Sequence, residues 1–228
     1  MKAKQIIALG VAAFLATMVY YSFTKTDSPE DYISTILKER QEKDEFMKND
    51  KDSPFRSTKA STLGVASVPM DTTQATVVVN KLNYFPPDLK YKVKASLEPI
   101  ENKKVIVLPT SDGKEKRFLE FAFAKFSLDG QENSLLIVEI MDAGPYKGTL
   151  FLAFADETSA KETYGAGRYI DLKKVPGASS IVLDFNKAYN PYCAYSDNFS
   201  CPFPPKENIM KIAVKAGEKK YHDWNQIR

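Results

Sequence analysis

One histidine in 228 residues leaves little room for imidazole chemistry. His222 sits in a polar tail beside Asp223 and Trp224, so histidine metal sites and histidine-dependent triads are poor expectations. Cysteine is nearly as scarce: Cys193 and Cys201 enclose seven residues, which is neither the Cys-x-x-Cys redox spacing nor a complete zinc set. No metal and no cofactor are therefore expected. The Gly-x-Ser-x-Gly elbow and His-Glu-x-x-His are absent, and Gly165-Ala166-Gly167 lacks both the third glycine of the dinucleotide fingerprint and the Lys-Ser/Thr of the P-loop. Those two glycines read instead as relief for a tight turn before a strand starting at Arg168. An excess of one charge is missing too. The formal charge of +3 traces to Lys2, Lys4 and Lys25, and residues 27–228 hold 29 basic and 29 acidic side chains. A neutral folded part lacks the basic footprint that neutralises phosphates, which argues against a nucleic-acid partner.

One long apolar run is present. Residues 6–23, IIALGVAAFLATMVYYSF, are uncharged and follow Met-Lys-Ala-Lys. Eighteen helical residues rise about 27 Å, close to the thickness of a hydrocarbon core. No small-x-small cleavage site follows the run, and Tyr20 and Tyr21 suit the water–lipid interface. The expected reading is a single-pass anchor in the inner (cytoplasmic) membrane over residues 1–26, with Lys2 and Lys4 inside and the rest outside the cytoplasm. A cleaved signal peptide releasing a secreted or periplasmic protein is the alternative.

Beyond the anchor, Ser28-Pro29-Glu30-Asp31 reads as a capped helix start, and an amphipathic helix is predicted to about Asn49 with Ile33, Ile36, Leu37 and Met47 on its apolar stripe. Arg40 and Asp44 fall on the same stripe and, four apart, are expected to pair at its edge. Residues 27–73 thus comprise this helix and an irregular linker rich in Asp, Ser and Thr. Residues 74–228 change to period two. Leu89, Tyr91, Val93, Ala95 and Leu97 alternate with lysines, and Asp129-Gly130 between two strand patterns is a hairpin signal. Strands are predicted at 75–80, 89–97, 105–108, 117–128, 134–141, 149–154, 168–172, 181–185 and 209–215. The fold class is mainly β: an antiparallel β-sandwich or partly closed β-barrel of about nine strands, preceded by the transmembrane helix and one amphipathic helix.

Residues 154–218 depart from simple alternation and carry the words TYGAGRY (163–169), DFN-x-AYNP-x-CAY (184–195), CP-x-PP-x-EN (201–208) and AGEK (216–219). With the earlier Arg40-x-x-Lys43-Asp44, Ser53-Pro54 and Tyr84-Phe85-Pro86, this pattern resembles the bacterial and archaeal family known as domain of unknown function 1684, over residues 32–221. The family pattern has a glycine where this chain has Ala160 and another near Lys81. The resemblance helps to place the domain boundary and implies little about function.

The polar residues of this block are the site candidates: Asp156, Thr163, Tyr164, Arg168, Asp184, Asn186, Tyr189, Asn190, Asn208 and Glu218. Asp and Asn also cap turns, and Arg168 with Asp184 is expected to form a buried pair that organises a long loop, leaving Asp156 and Glu218 as the accessible carboxylates. In an exported domain Cys193 and Cys201 are expected to close a disulfide. Two functions follow. The first is a non-enzymatic binding or envelope-interaction module outside the cytoplasm, with a small-molecule or envelope ligand. The second is a hydrolase or other small-ligand enzyme using Asp156, Asp184 and Glu218, with Arg168 gripping an anion.

Overall fold

A computed structural model describes residues 28–57 and 81–221. The apolar run at 6–23, the strand expected at 75–80, much of the linker and His222 lie outside the described residues. Among the described residues no helix is long and apolar enough to cross a membrane.

Helix α1 spans Pro29–Asn49, and its start follows the sequence. The Ser28 hydroxyl accepts from the Asp31 amide (3.1 Å) while the Asp31 carboxylate accepts from the Ser28 amide (3.4 Å), a reciprocal cap. From Ile36 onward its inner face consists of Ile36 and Met47, both essentially fully buried, with Arg40, Lys43 and Asp44 between them; Leu37, expected on that stripe, is exposed. A one-turn helix, α2 (Pro54–Ser57), follows. The Ser53 hydroxyl accepts from the Phe55 amide at its start.

Seven strands form one antiparallel sheet: β1 (Lys92–Pro99), β2 (Val105–Pro109), β3 (Glu115–Leu128), β4 (Gln131–Ile140), β5 (Leu150–Phe154), β6 (Arg168–Leu172) and β7 (Ser180–Asp184). Their order is β6-β5-β4-β3-β1-β7, with β2 also on β3. The fourteen-residue β3 is the spine. One edge pairs with β4, and the other pairs with β2 near its start and with β1 near its end. A bulge between Glu120 and Ala122 leaves Phe121 unpaired and bends the strand. The sheet curls into a half-barrel. Of the two expected forms the partly closed barrel is therefore the one seen, with seven strands among the described residues.

Two expectations are corrected here. Residues 89–91 form a 3-10 turn, because the Asp88 carboxylate caps Lys90 and draws the chain out of the ladder. Residues 209–215 keep the alternation, with Met210, Ile212 and Val214 buried and Lys211 and Lys215 exposed, yet they form no strand. Their backbone meets 155–157 only through Ala155 and Glu157, and the Val214 amide bonds to the Asp156 side chain. Alternation reports which face is buried, whereas a ladder also requires a partner in register.

Strands β4 and β5 read as continuous apolar runs because both faces are covered. Leu135, Ile137, Leu150, Leu152 and Phe154 face one cluster with Ile170, Leu183, Phe185 and Val214. Leu136, Val138, Phe151 and Ala153 face another with Phe118 and Tyr169. A third cluster joins Met47 of α1 to Leu82 and Tyr195. The β3–β4 hairpin turns on Asp129 (φ 51°) and Gly130 (φ 74°), the left-handed pair that a two-residue hairpin requires.

Candidate functional site

The block at 154–218 collapses inward around Arg168. Gly167 precedes it at φ +88°, and a Cβ there would lie 2.6 Å from the Phe154 carbonyl oxygen and from Pro204, so only glycine lets the chain turn into β6 at this point. Arg168 is 1% exposed. Its Nη2 donates to Asp156 Oδ2 (2.7 Å) and to the Val214 carbonyl (2.9 Å), and its Nη1 donates to the carbonyls of Ala216 and Glu218. Burial pulls the guanidinium pKa down, and the charges of Asp156 and Glu218 oppose that pull. The expected partner Asp184 is not involved. Asp184 instead caps the 3-10 turn at Phe185–Lys187 through the Asn186 amide.

Asp156 is 6% exposed, and its other oxygen accepts from the Thr158 amide (2.7 Å), the Thr158 hydroxyl (2.6 Å) and the Val214 amide (3.3 Å). The hydroxyls of Thr158 and Thr163 meet at 2.9 Å and close the loop. Glu218 is fully buried. It accepts from Asn190 twice (main chain 3.2 Å, side chain 2.9 Å), from the Tyr195 hydroxyl and from Lys43 Nζ (3.1 Å). Burial and the neighbouring Glu218 charge push the Tyr195 hydroxyl well above the usual tyrosine range, so it stays a donor. Asp156 and Glu218 are therefore interior ligands of the fold, and the expectation that they are accessible is corrected. Each carboxylate is solvated by protein donors in place of water.

Two asparagines replace missing backbone bonds. The Asn208 side chain accepts from the Leu136 amide (2.7 Å) and donates to the carbonyls of Leu136 (2.9 Å) and Ala153 (2.8 Å). Leu136 and Ala153 would face each other in the β4–β5 register, which stops after Val138↔Phe151. Asn208 is a wedge that satisfies both strands where they splay. The Asn186 side chain likewise accepts from the Asp88 amide (2.9 Å) and donates to its carbonyl (2.8 Å).

The Arg40-x-x-Lys43-Asp44 word docks α1 from Ile36 onward. Arg40 donates to the carbonyls of Phe85 (2.8 Å) and Asn186 (3.2 Å), and Asp44 accepts from the Leu82 amide (3.2 Å). Burial raises the Asp44 pKa, with the Leu82 hydrogen bond acting against it. Here lies a cavity of about 120 Å³, lined by Ile36, Arg40, Lys43, Tyr84, Asn186 and Tyr189, with Lys187 and Glu39 paired at 2.6 Å on its rim. The Arg40 guanidinium lies 4.5 Å over the Tyr84 ring and Lys43 4.6 Å over the Tyr189 ring. The Tyr84 hydroxyl is buried and has no hydrogen-bond partner among the described residues. Of the ten candidates only Asn186 and Tyr189 reach this cavity. Arg40, Lys43 and Tyr84 escaped the site prediction, although charges on an apolar helix stripe were the signal that could have found them.

Cys193 and Cys201 are both free, so the expected disulfide is corrected. The half-buried Cys193 and the buried Cys201 lie side by side. The Cys193 amide donates to Cys201 Sγ (3.3 Å), and Tyr164, the last candidate, places its hydroxyl 3.7 Å from Cys193 Sγ. Among the described residues no group of three or more His, Cys, Asp or Glu side chains is placed to hold a metal.

A family model described as a protein of unknown function, DUF1684, matches residues 79–219. The solution NMR structure of an uncharacterized protein of Haloarcula marismortui is 34% identical, covering 83% of this chain and 95% of its own, with a TM-score of 0.57. No curated protein matches the chain. In this chain the words TYGAGRY, DFN-x-AYNP-x-CAY and AGEK are the turn, the caps and the buried ligands of the fold, and the match over the whole curled sheet and its polar block places the chain in the DUF1684 family.

Proposed function

We propose that the chain is a non-enzymatic binding module, held outside the cytoplasm by residues 6–23, which takes a small anionic ligand in the cavity beside α1. The observation that carries this reading is the pairing of two cations, Arg40 and Lys43, with two aromatic rings around open space, while the Tyr84 hydroxyl lacks an acceptor. A cavity near 120 Å³ is slightly smaller than engineered apolar cavities that hold one benzene. Its walls suit a flat body carrying an acceptor group, with the net positive lining favouring a carboxylate or similar anion. The rival hydrolase reading draws no support from the geometry, since Asp156, Asp184, Glu218 and Arg168 are buried and engaged with the fold.

Amide-resolved NMR titration of the full chain with benzoate, and in parallel with uncharged benzyl alcohol, tests it. Shift changes at residues 40–43, 84–85 and 186–189 with benzoate, weaker with the alcohol, support the reading. Equal response to both ligands, no response, or changes confined to other residues would overturn it.

A further inference from the structure

Cys193 and Cys201 share no residue with the cavity lining, and the fold brings them together from the two ends of the segment 194–200. Cys201 is anchored by the turn after β2. The Ser111 amide donates to its carbonyl (2.9 Å), its own amide donates to the Ser111 hydroxyl (3.2 Å), and that hydroxyl donates to the Phe199 carbonyl (3.1 Å). Cys193 sits in the 3-10 turn Tyr192–Ala194, closed by the Ala194 amide on the Pro191 carbonyl (2.9 Å). The two cysteines meet where the Cys193 amide donates to Cys201 Sγ (3.3 Å). Only Cα and Cβ separate that amide nitrogen from the sulfur of Cys193 itself, so the two sulfurs lie within a few ångströms of each other.

We propose that Cys193 and Cys201 bind one soft monovalent metal ion, of the copper(I) and silver(I) class, as a two-coordinate dithiolate. The surroundings choose the metal. Among the described residues no third His, Cys, Asp or Glu side chain joins the pair, which excludes the tetrahedral set of a structural zinc and the carboxylate-rich shell of calcium. Copper(I) and silver(I) are satisfied by two thiolates in line, and soft sulfur ligands select them. The cysteine count that argues against a zinc set is therefore sufficient here. Each thiol exchanges its proton for a metal–sulfur bond, the protons leave to solvent, and the closed centre carries one negative charge with no change of oxidation state.

The rest of the pocket fits such an ion. Cys193 is half-buried and Cys201 is 8% exposed, so the ion enters past the Cys193 sulfur and comes to rest against a buried one. Both cysteines pack in the apolar cluster with Leu108, Tyr192 and Phe199, a wall that offers nothing to a hard, strongly hydrated cation. The negative charge of the closed centre has three compensating groups. The Cys193 amide already points at Cys201 Sγ. A metal-bound Cys193 sulfur has no proton to give, so the Tyr164 hydroxyl, 3.7 Å away, becomes its donor. Lys116 donates to the Ser200 carbonyl (3.0 Å) and thereby holds a positive charge one residue from Cys201. Outer groups of this kind orient ligands and tune a metal site.

The test is an anaerobic titration of the reduced full chain with copper(I), in competition with the chelator bathocuproine disulfonate. One copper(I) per chain is expected. X-ray absorption at the copper edge should show two sulfur neighbours and no nitrogen or oxygen, and loading should protect Cys193 from iodoacetamide, which binding at methionine sulfur would not do. Cys193→Ser and Cys201→Ser should each weaken uptake by more than the roughly 10–100-fold that loss of an outer-shell partner costs, while zinc(II) at the same concentration leaves uptake unchanged. Absence of uptake, fewer than two sulfurs per copper, equally fast alkylation of Cys193 in loaded protein, full uptake by either folded serine variant, or displacement of copper(I) by zinc(II) would each overturn the proposal. The absorption and alkylation measurements use the wild-type chain, so they decide the matter even where a serine variant does not fold.

Discussion

Arg168 and Arg40 both spend their guanidinium groups on main-chain carbonyls, and they differ in what lies beyond. Arg168 reaches three carbonyls and Asp156 and is sealed among Phe154 and the 214–218 segment. Arg40 reaches two carbonyls, stacks on Tyr84 and borders a cavity. The same residue type, with the same kind of partners, is scaffold in one place and a candidate ligand contact in the other. Having polar partners does not distinguish them. The discriminating feature is whether a face remains open after those partners are satisfied.

The strongest way to break this comparison is Arg168→Ala. Removing one member of a buried ion pair leaves the other charge uncompensated and typically costs about 3–5 kcal/mol. For a domain of this size the melting temperature should fall by about 10 °C, and a wild-type melt would refute the scaffold role. Asn208→Leu comes next. It strips the Leu136 amide and two carbonyls of their partners, at about 2–4 kcal/mol, and hydrogen exchange at Leu136 should accelerate more than exchange in the β3–β4 hairpin. Arg40→Gln sharpens the other side. It should cost only about 1–2 kcal/mol because solvent can reach the site, yet abolish the benzoate response. A loss of stability equal to that of Arg168→Ala would place Arg40 in the scaffold as well.

The elements with local causes were legible in the sequence. Ser28 and Pro29 start α1, Asp129-Gly130 turns the β3–β4 hairpin, and the limits of β6 follow from the turn at Gly167 and the apolar run behind it. The elements with distant causes were not. Arg168 had Asp156 and Asp184 at similar separations, and only the folded loop at 156–163 decides between them. Asp156 and Glu218 looked accessible because the donors that bury them come from residues 158, 190, 195, 214 and, through Lys43, from α1. Nothing local to Asn208 marks it as a wedge between strands that lie some seventy and fifty residues earlier.

The smallest predicted effect is a gain, and it probes the scaffold side where its backbone is least well served. Ala160 sits at φ +63° in the loop that holds Asp156, a left-handed conformation that costs a residue with a Cβ roughly 1–2 kcal/mol. Glycine removes that cost but gives back about 0.5–1 kcal/mol through the greater freedom of the unfolded chain. The net for Ala160→Gly is a stabilisation of about 0.5 kcal/mol, a rise of about 1–2 °C in melting temperature. Gly167→Ala is its mirror image: the added Cβ would lie 2.6 Å from the Phe154 carbonyl oxygen at φ +88°, and its cost should exceed the Ala160→Gly gain severalfold. Measured together by thermal melts, the two variants separate backbone strain from side-chain bonding around Arg168. If Ala160→Gly lowers the melting temperature, the Ala160 methyl group, which lies toward Gly165, contributes packing that outweighs its strain, and the loop at 156–163 is held by more than its Asp156–Thr158–Thr163 hydrogen bonds.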